Sequence, residues 1–227
     1  MGITLYKNAD WILTVNEKRE KFRHGDLLIS GKEILDVGND LEKKYAGKLQ
    51  IDKTIDAKGT VILPGFVNVH HHTWQSLIRN IQATRGLKLD LKLTATYEIY
   101  TDLNTDVARA GVYSGLGDML KTGCTTSNDL WYPHPVGVKY LVDAEIQAAA
   151  EIGIRFHPTR GFHSVPSDIV PPEVVDTKES VTEDTIRLVK KYHDRSRFSM
   201  CQGGIAPSIA QYETEYIIEA VVDLAEE

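Results

Sequence analysis

The sequence is short of cysteine, of long apolar runs and of clustered basic charge, and each shortage excludes a class of protein. Two cysteines in 227 residues, Cys124 and Cys201, are too few and too far apart for a disulfide-stapled scaffold, and no Cys-x-x-Cys pair offers a zinc ribbon. Two free thiols point to a reducing compartment, and the cytoplasm is the expected location. No apolar stretch approaches the roughly 18 residues that cross a bilayer, and the start of the chain lacks the apolar core of a secretion signal, so no membrane partner is expected. With 26 Lys and Arg against 32 Asp and Glu the formal charge is −6. Without a basic stripe, no nucleic-acid partner is expected either. Gly203-Gly204 alone is too little for a phosphate-binding loop. What the chain does have is a composition 42% hydrophobic and 8% aromatic, enough to build a core and unlike a disordered chain.

Two textures divide the chain. Residues 3–6, 11–15, 26–30, 33–38 and 51–56 read as short strands, with a hairpin signal at Ser30-Gly31-Lys32. They define a small β domain over 1–59, nearly neutral, so the acidity lies in the second part. Over 60–227, strands at 61–70, 125–130, 154–158 and 198–206 alternate with helices at 105–122, 137–152, 182–193 and 213–226. Val107, Ala110, Gly111, Ser114, Leu116, Met119 and Leu120 trace one stripe of the first helix, Asn104-Thr105-Asp106 offer capping groups and Gly123 its stop. Thr182 offers the cap of the third. This alternation predicts βα units around a parallel sheet. Residues 80–102 fit neither pattern, and such an insertion either shapes a substrate pocket or reaches a neighbouring subunit as an arm.

The chemistry concentrates at Pro64-Gly65-Phe66-Val67-Asn68-Val69-His70-His71-His72. On an extended chain His70 and His72 share one face and His71 takes the other. Two neutral imidazoles on one face can share a zinc or iron ion. The alternative is a polar loop of three histidines that merely follows a strand.

At these residues the chain resembles the amidohydrolase superfamily, whose barrels open with Pro-Gly-(Phe/Leu)-(Val/Ile)-(Asn/Asp)-x-His-x-His. The continuation Thr73-Trp74-Gln75-Ser76-Leu77-Ile78-Arg79-Asn80, and Gly153-Ile154-Arg155-Phe156-His157-Pro158-Thr159-Arg160-Gly161, resemble its branch of hydroxyatrazine-type hydrolases, 8-oxoguanine deaminase and related aminohydrolases. The resemblance implies an α/β fold: a partial (β/α)8 TIM barrel of about four βα units over 60–227, preceded by a small, incomplete β-sandwich domain over 1–59. It implies that His70 and His72 bind one divalent metal, with zinc ahead of iron, since the expected fourth strand carries no lysine or glutamate to bridge a second. It further implies substrate contacts from Gln75, from Trp74 as a wall for the ring, and from Arg160 to a carbonyl or anionic ring nitrogen. His163, where relatives carry a small or Met residue, is a further expected contact. Structural alternatives stay open: helix-start packing for Trp74 and Gln75, and a loop-bracing salt bridge for Arg160. Asp129 either positions water or ligands or turns the chain, and Cys201 is either a ligand or a small buried residue.

The implied reaction is hydrolysis of a carbon–nitrogen bond outside peptides, foremost deamination of a purine, pterin or triazine. Cyclic-amide hydrolysis and displacement of chloride from a triazine are alternatives, and a non-catalytic, metal-binding half-barrel is an alternative of another class. The superfamily's third metal histidine with its His-x-Glu partner, a further histidine and an aspartate follow the fifth, sixth and eighth strands. None is in this chain. No catalytic residue is therefore expected before Glu227, and the isolated chain is expected to bind metal weakly and turn nothing over. A small heterocyclic substrate, and a homo-oligomer in the full-length protein, are the expected partners. A complete barrel needs about 250 residues, and the length after residue 59 makes room for about four units.

Overall fold

The computed structural model describes residues 2–226, and the chain forms two compact units that meet in sequence between Gly65 and Phe66. In the first unit β1 (Ile3–Leu13) pairs antiparallel with β2 (Lys21–Ser30), and β2 with β3 (Glu33–Gly38). β4 (Lys53–Asp56) and β5 (Val61–Ile62) run parallel to β1. This is one five-stranded sheet, and among the described residues this unit contains no second sheet.

Two expected strands, 3–6 and 11–15, are one. The polar interruption between them is a bulge at Asn8, whose φ of 61° shifts the register between Tyr6 and Ala9. Asp26 holds it: one carboxylate oxygen accepts the Asn8 N–H at 3.0 Å and the other the Leu41 N–H at 3.0 Å. Leu41 opens α1 (Leu41–Tyr45), a helix too short to show periodicity in the sequence. Its Leu41 packs with Leu5 and Leu28 in this unit's core.

In the second unit β6 (Phe66–Asn68), β7 (Cys124–Trp131), β8 (Arg155–Phe162) and β9 (Gly204–Pro207) form a curled parallel sheet in chain order. Between and after them lie α2 (Leu89–Tyr100), α3 (Thr105–Lys121), α4 (Leu141–Ile152), α5 (Lys178–Tyr192) and α6 (Glu215–Glu226). The result is a mixed α/β fold with a half-barrel sheet. The strand expected over 61–70 is split at Pro64-Gly65, so Val61–Ile62 joins the first unit's sheet and Phe66–Asn68 the second's. α2 occupies the segment that showed no pattern. It turns Tyr97 and Tyr100 into the core, but its apolar residues are not gathered on one face, so no stripe is visible.

Capping chemistry sets the other boundaries. The Asn104 side chain accepts the N–H groups of Asp106 and Val107, both at 3.0 Å, and starts α3 where expected. α5 starts four residues before the expected Thr182, because Thr177 and Ser180 form a reciprocal capping box. Thr182 instead sits inside the helix and donates to the Lys178 carbonyl. No described helix is long and apolar enough to cross a membrane.

Helices α4 and α5 are joined through Asp143, which accepts from Arg187 at 2.9 and 2.5 Å, Lys191 at 2.9 Å and Tyr192 at 2.8 Å. Burial pushes this carboxyl up, yet the surrounding donors outweigh burial and hold it at about 2. A carboxyl depressed in the folded state adds stability that is present above its unfolded value and lost on acidification. Urea midpoints of wild type should therefore fall as pH drops from 3.8 towards about 2, and D143N should show a shallower fall over that interval.

Candidate metal and substrate site

The site grows from the end of β6. Beyond Asn68 the chain leaves the sheet, and the rings of His70 and His72 meet edge to face with centroids 4.7 Å apart. His71 points the other way, its Nδ1 3.8 Å from Asp129 Oδ1 and its ring against Gly115 of α3. The expected sharing of one face by His70 and His72 is thus present. His72 Nδ1 lies 2.8 Å from the Leu130 carbonyl. A carbonyl only accepts, so Nδ1 carries the proton and the Nε2 lone pair is left for a metal. Burial lowers the His72 pKa and keeps the ring neutral. The donor set therefore fits a zinc-type ion as two of its ligands. Among the described residues no third His, Cys, Asp or Glu joins them.

An aromatic wall continues from these rings. Tyr132 stands edge-on to His72 at 5.0 Å, and Trp74 lies 5.2 Å from His72 and 5.1 Å from Tyr132. Trp74 is only 2% exposed and also packs on Trp131 and Tyr100, so it backs the wall from within the core. Gln75 Nε2 donates to the Tyr100 hydroxyl at 3.0 Å and to that of Tyr132 at 3.4 Å. With His72, Tyr100 and Tyr132 it lines a cleft of ≈ 900 Å³. Burial pushes the Tyr97 and Tyr132 phenols well up, so both remain neutral hydroxyls.

His163 is buried behind the wall. Its Nε2 is 2.5 Å from the Tyr97 hydroxyl, its Nδ1 3.5 Å from Glu213 Oε1, and its ring 5.2 Å from that of Tyr132. Glu213 also accepts from the Ser164 N–H and hydroxyl, at 2.5 and 2.6 Å. Burial pushes the Glu213 carboxyl up, but the neighbouring His163 imidazole and the Ser164 hydrogen bonds prevail and lower it. His163 thus touches the wall and supports it.

Arg160 is not brought to the imidazoles. Along β8, Thr159 faces Asn128, whose Nδ2 donates to it at 2.9 Å. Strand alternation therefore sends Arg160 to the helix layer. There it pairs with Asp176 through two bonds of 2.9 and 2.8 Å, with Asp184 3.5 Å from its Nε, and it is 4% exposed. It lines a separate cavity of ≈ 540 Å³ with His134, Tyr140, Asp184 and Arg187. Burial raises the Asp176 carboxyl, and the Arg160 guanidinium more than reverses this and lowers it. The loop-bracing alternative describes this bonding. Cys201, half-buried in a bridge to Phe156, has its thiol pushed up to about 11 by burial, which makes it a poor ligand at neutral pH.

Tyr100 and Tyr132 of the wall went unread in the sequence, and so did one acid. Glu145 of α4 is fully buried against Asp129 and Thr73. A signal exists, since Glu145 falls on the stripe of Leu141, Ala148 and Ala149, where an acid is out of place.

Residues 61–227 match the amidohydrolase family, and the chain belongs to it. It is 28% identical to hydroxydechloroatrazine ethylaminohydrolase of Pseudomonas sp. (strain ADP), over 92% of this chain and 45% of that protein. It is 30% identical to 8-oxoguanine deaminase of Pseudomonas aeruginosa, over 75% of this chain and 38% of that one. Among solved structures, a mutant of atrazine chlorohydrolase TrzN from Arthrobacter aurescens TC1, complexed with zinc and atraton, superposes with a TM-score of 0.86 at 25% identity. That match covers 98% of this chain and 50% of the other. The chain thus spans about half the length of the relatives it matches.

Removing the Arg160 guanidinium leaves Asp176 buried without its cation. R160M should lose about 3–5 kcal/mol of stability in urea unfolding, while zinc uptake, measured on folded protein, should equal that of wild type. A fall in zinc uptake without loss of stability would contradict a bracing role.

Proposed function

We propose that this chain carries the first-strand part of a one-metal hydrolase centre acting on carbon–nitrogen bonds of nitrogen heterocycles, foremost the deamination of a purine, pterin or triazine. The observation that carries the reading is the convergent His70–His72 pair, with the His72 tautomer set by the Leu130 carbonyl. Relatives that are a deaminase and an aminohydrolase support the reaction class. Zinc bound at such a pair supplies Lewis acidity that brings the pKa of water near neutrality.

The chain's own residues then have distinct tasks. His72 keeps its Nε2 lone pair aimed outward because Nδ1–H is committed to Leu130. Gln75, with its amide N–H groups turned to Tyr100 and Tyr132, has Oε1 to accept a ring N–H of the substrate. Tyr132 presents an aromatic edge, and Trp74 and His163 hold it there. Arg160 belongs to the scaffold in this reading.

Two imidazoles are one short of the three protein ligands of a catalytic zinc, so this chain by itself binds metal weakly and does not turn over. The wider reading is a partial (β/α)8 barrel over 60–227 after an incomplete β-sandwich over 1–59. That reading extends to a homo-oligomer in a reducing cytoplasm. Displacement of chloride from a triazine is the second reading, favoured by the fold likeness to atrazine chlorohydrolase.

Zinc titration by calorimetry tests this directly. Wild type should bind weakly, with H70A and H72A each abolishing the heat, and ammonia release from 8-oxoguanine, a pterin or an aminotriazine should be absent. Turnover by this chain, or zinc binding that survives both substitutions, would contradict the proposal.

A further inference from the structure

Directly beneath the histidines lies a cluster of acids that the reading above does not use. Asp129, Glu145 and Thr73 are each fully buried. Asp129 Oδ1 accepts the Thr73 N–H at 2.6 Å, and the Thr73 hydroxyl donates to Glu145 Oε1. The Glu145 carboxyl also meets that of Asp129. Glu145 Oε2 and Asp129 Oδ2 are both buried and neither has a hydrogen-bond partner. Among the described residues neither carboxyl has a Lys or Arg partner, and the His71 imidazole stands 3.8 Å from Asp129 Oδ1, beyond hydrogen-bond reach.

Two adjoining carboxylates cannot both stay ionised here. Desolvation costs several kcal/mol per ion, and repulsion between them adds to it. One proton between them removes both costs and gives each free oxygen a partner. Burial, then the charge of Asp129, pushes the Glu145 carboxyl well above its ordinary range, against the opposing pull of the Thr73 hydroxyl.

We propose that Asp129 and Glu145 form an acid–carboxylate pair whose shared proton clamps Thr73 and thereby positions His70 and His72 for metal. Three consecutive residues are pinned at this place. The His71 carbonyl accepts the Leu130 N–H at 3.0 Å, His72 Nδ1 donates to the Leu130 carbonyl, and Thr73 is held by both acids. Glu145 connects this segment to α4, and Asp129 connects it to β7. Both are positioning residues, and their role toward metal rests on the metal reading above.

Glutamine is the neutral mimic of a protonated glutamate: its carbonyl accepts from Thr73 and its amide donates to Asp129. Two readouts on the full chain test the proposal. The first is infrared difference spectroscopy, without metal, at neutral pH. The carbonyl stretch of a buried carboxylic acid should be present in wild type and missing from E145Q. The second is zinc affinity by competition with a chromophoric chelator. E145Q should stay within about twofold of wild type, and folded E145A should weaken binding roughly tenfold or more. Absence of the acid band, an E145Q protein that binds zinc as poorly as E145A, or a folded E145A that binds as wild type would each overturn the proposal. If E145A does not fold, the band and the E145Q affinity decide alone. Wild type that shows the band but takes up no zinc would instead contradict the metal reading and, with it, the positioning role.

Discussion

Where a parallel strand ends, its successive side chains are handed to opposite layers of the fold, and in this chain the handover falls on three histidines. The cross-strand bonds between residues 71–73 and Asp129–Leu130 decide the outcome. They send His71 to the helix layer and leave His70 and His72 together on the other side. Without them the segment after Asn68 would be an ordinary loop of imidazoles. With them, one ring has a fixed tautomer and its neighbour lies within 4.7 Å.

The packing around this segment follows from the same constraint. Gly111 and Gly115 of α3 lie so close to it that a Cβ at Gly111 would come within 2.9 Å of the Trp74 backbone, and one at Gly115 within 2.5 Å of the Ser76 hydroxyl. Small residues in α3 therefore let the turn after His72 sink into the core, and this buries Trp74 and Thr73. The same approach aligns Tyr100 and Tyr132 with Gln75. The histidine pair, the aromatic wall and the buried Asp129 and Glu145 carboxyls are three consequences of one chain reversal seated on one helix.

Much of this was legible in the sequence, for identifiable reasons. The Asn104 cap and the alternation of strand and helix are local signals, and the structure follows them; the buried face of α3 is instead Ala108, Gly111, Val112, Gly115 and Leu116, which shares only Gly111 and Leu116 with the expected stripe. The His-x-His spacing was legible because strand geometry has a period of two. Other features depend on long-range contacts. The same period of two sends Arg160 away from the site, but its direction shows only once β8 is aligned with Asn128. Asn8 reads as a loop until Asp26, on another strand, turns it into a bulge. α2 shows no stripe because its tyrosines are buried by neighbours that the sequence does not place. Glu145 sits on a buried stripe, and only Asp129 and Thr73, both distant in sequence, explain how an acid is kept there.

The account stands on His70 and His72 acting as one pair with His72 bound through Nε2. Nitrogen-15 NMR of the eight histidines during zinc addition measures this directly. The account predicts that a ring nitrogen of His70 and Nε2 of His72 shift together while His72 Nδ1 keeps its proton, and that His24, His134 and His193 do not respond. Zinc shifts spread evenly over the exposed histidines, or a His72 that loses its Nδ1 proton on binding, would contradict it.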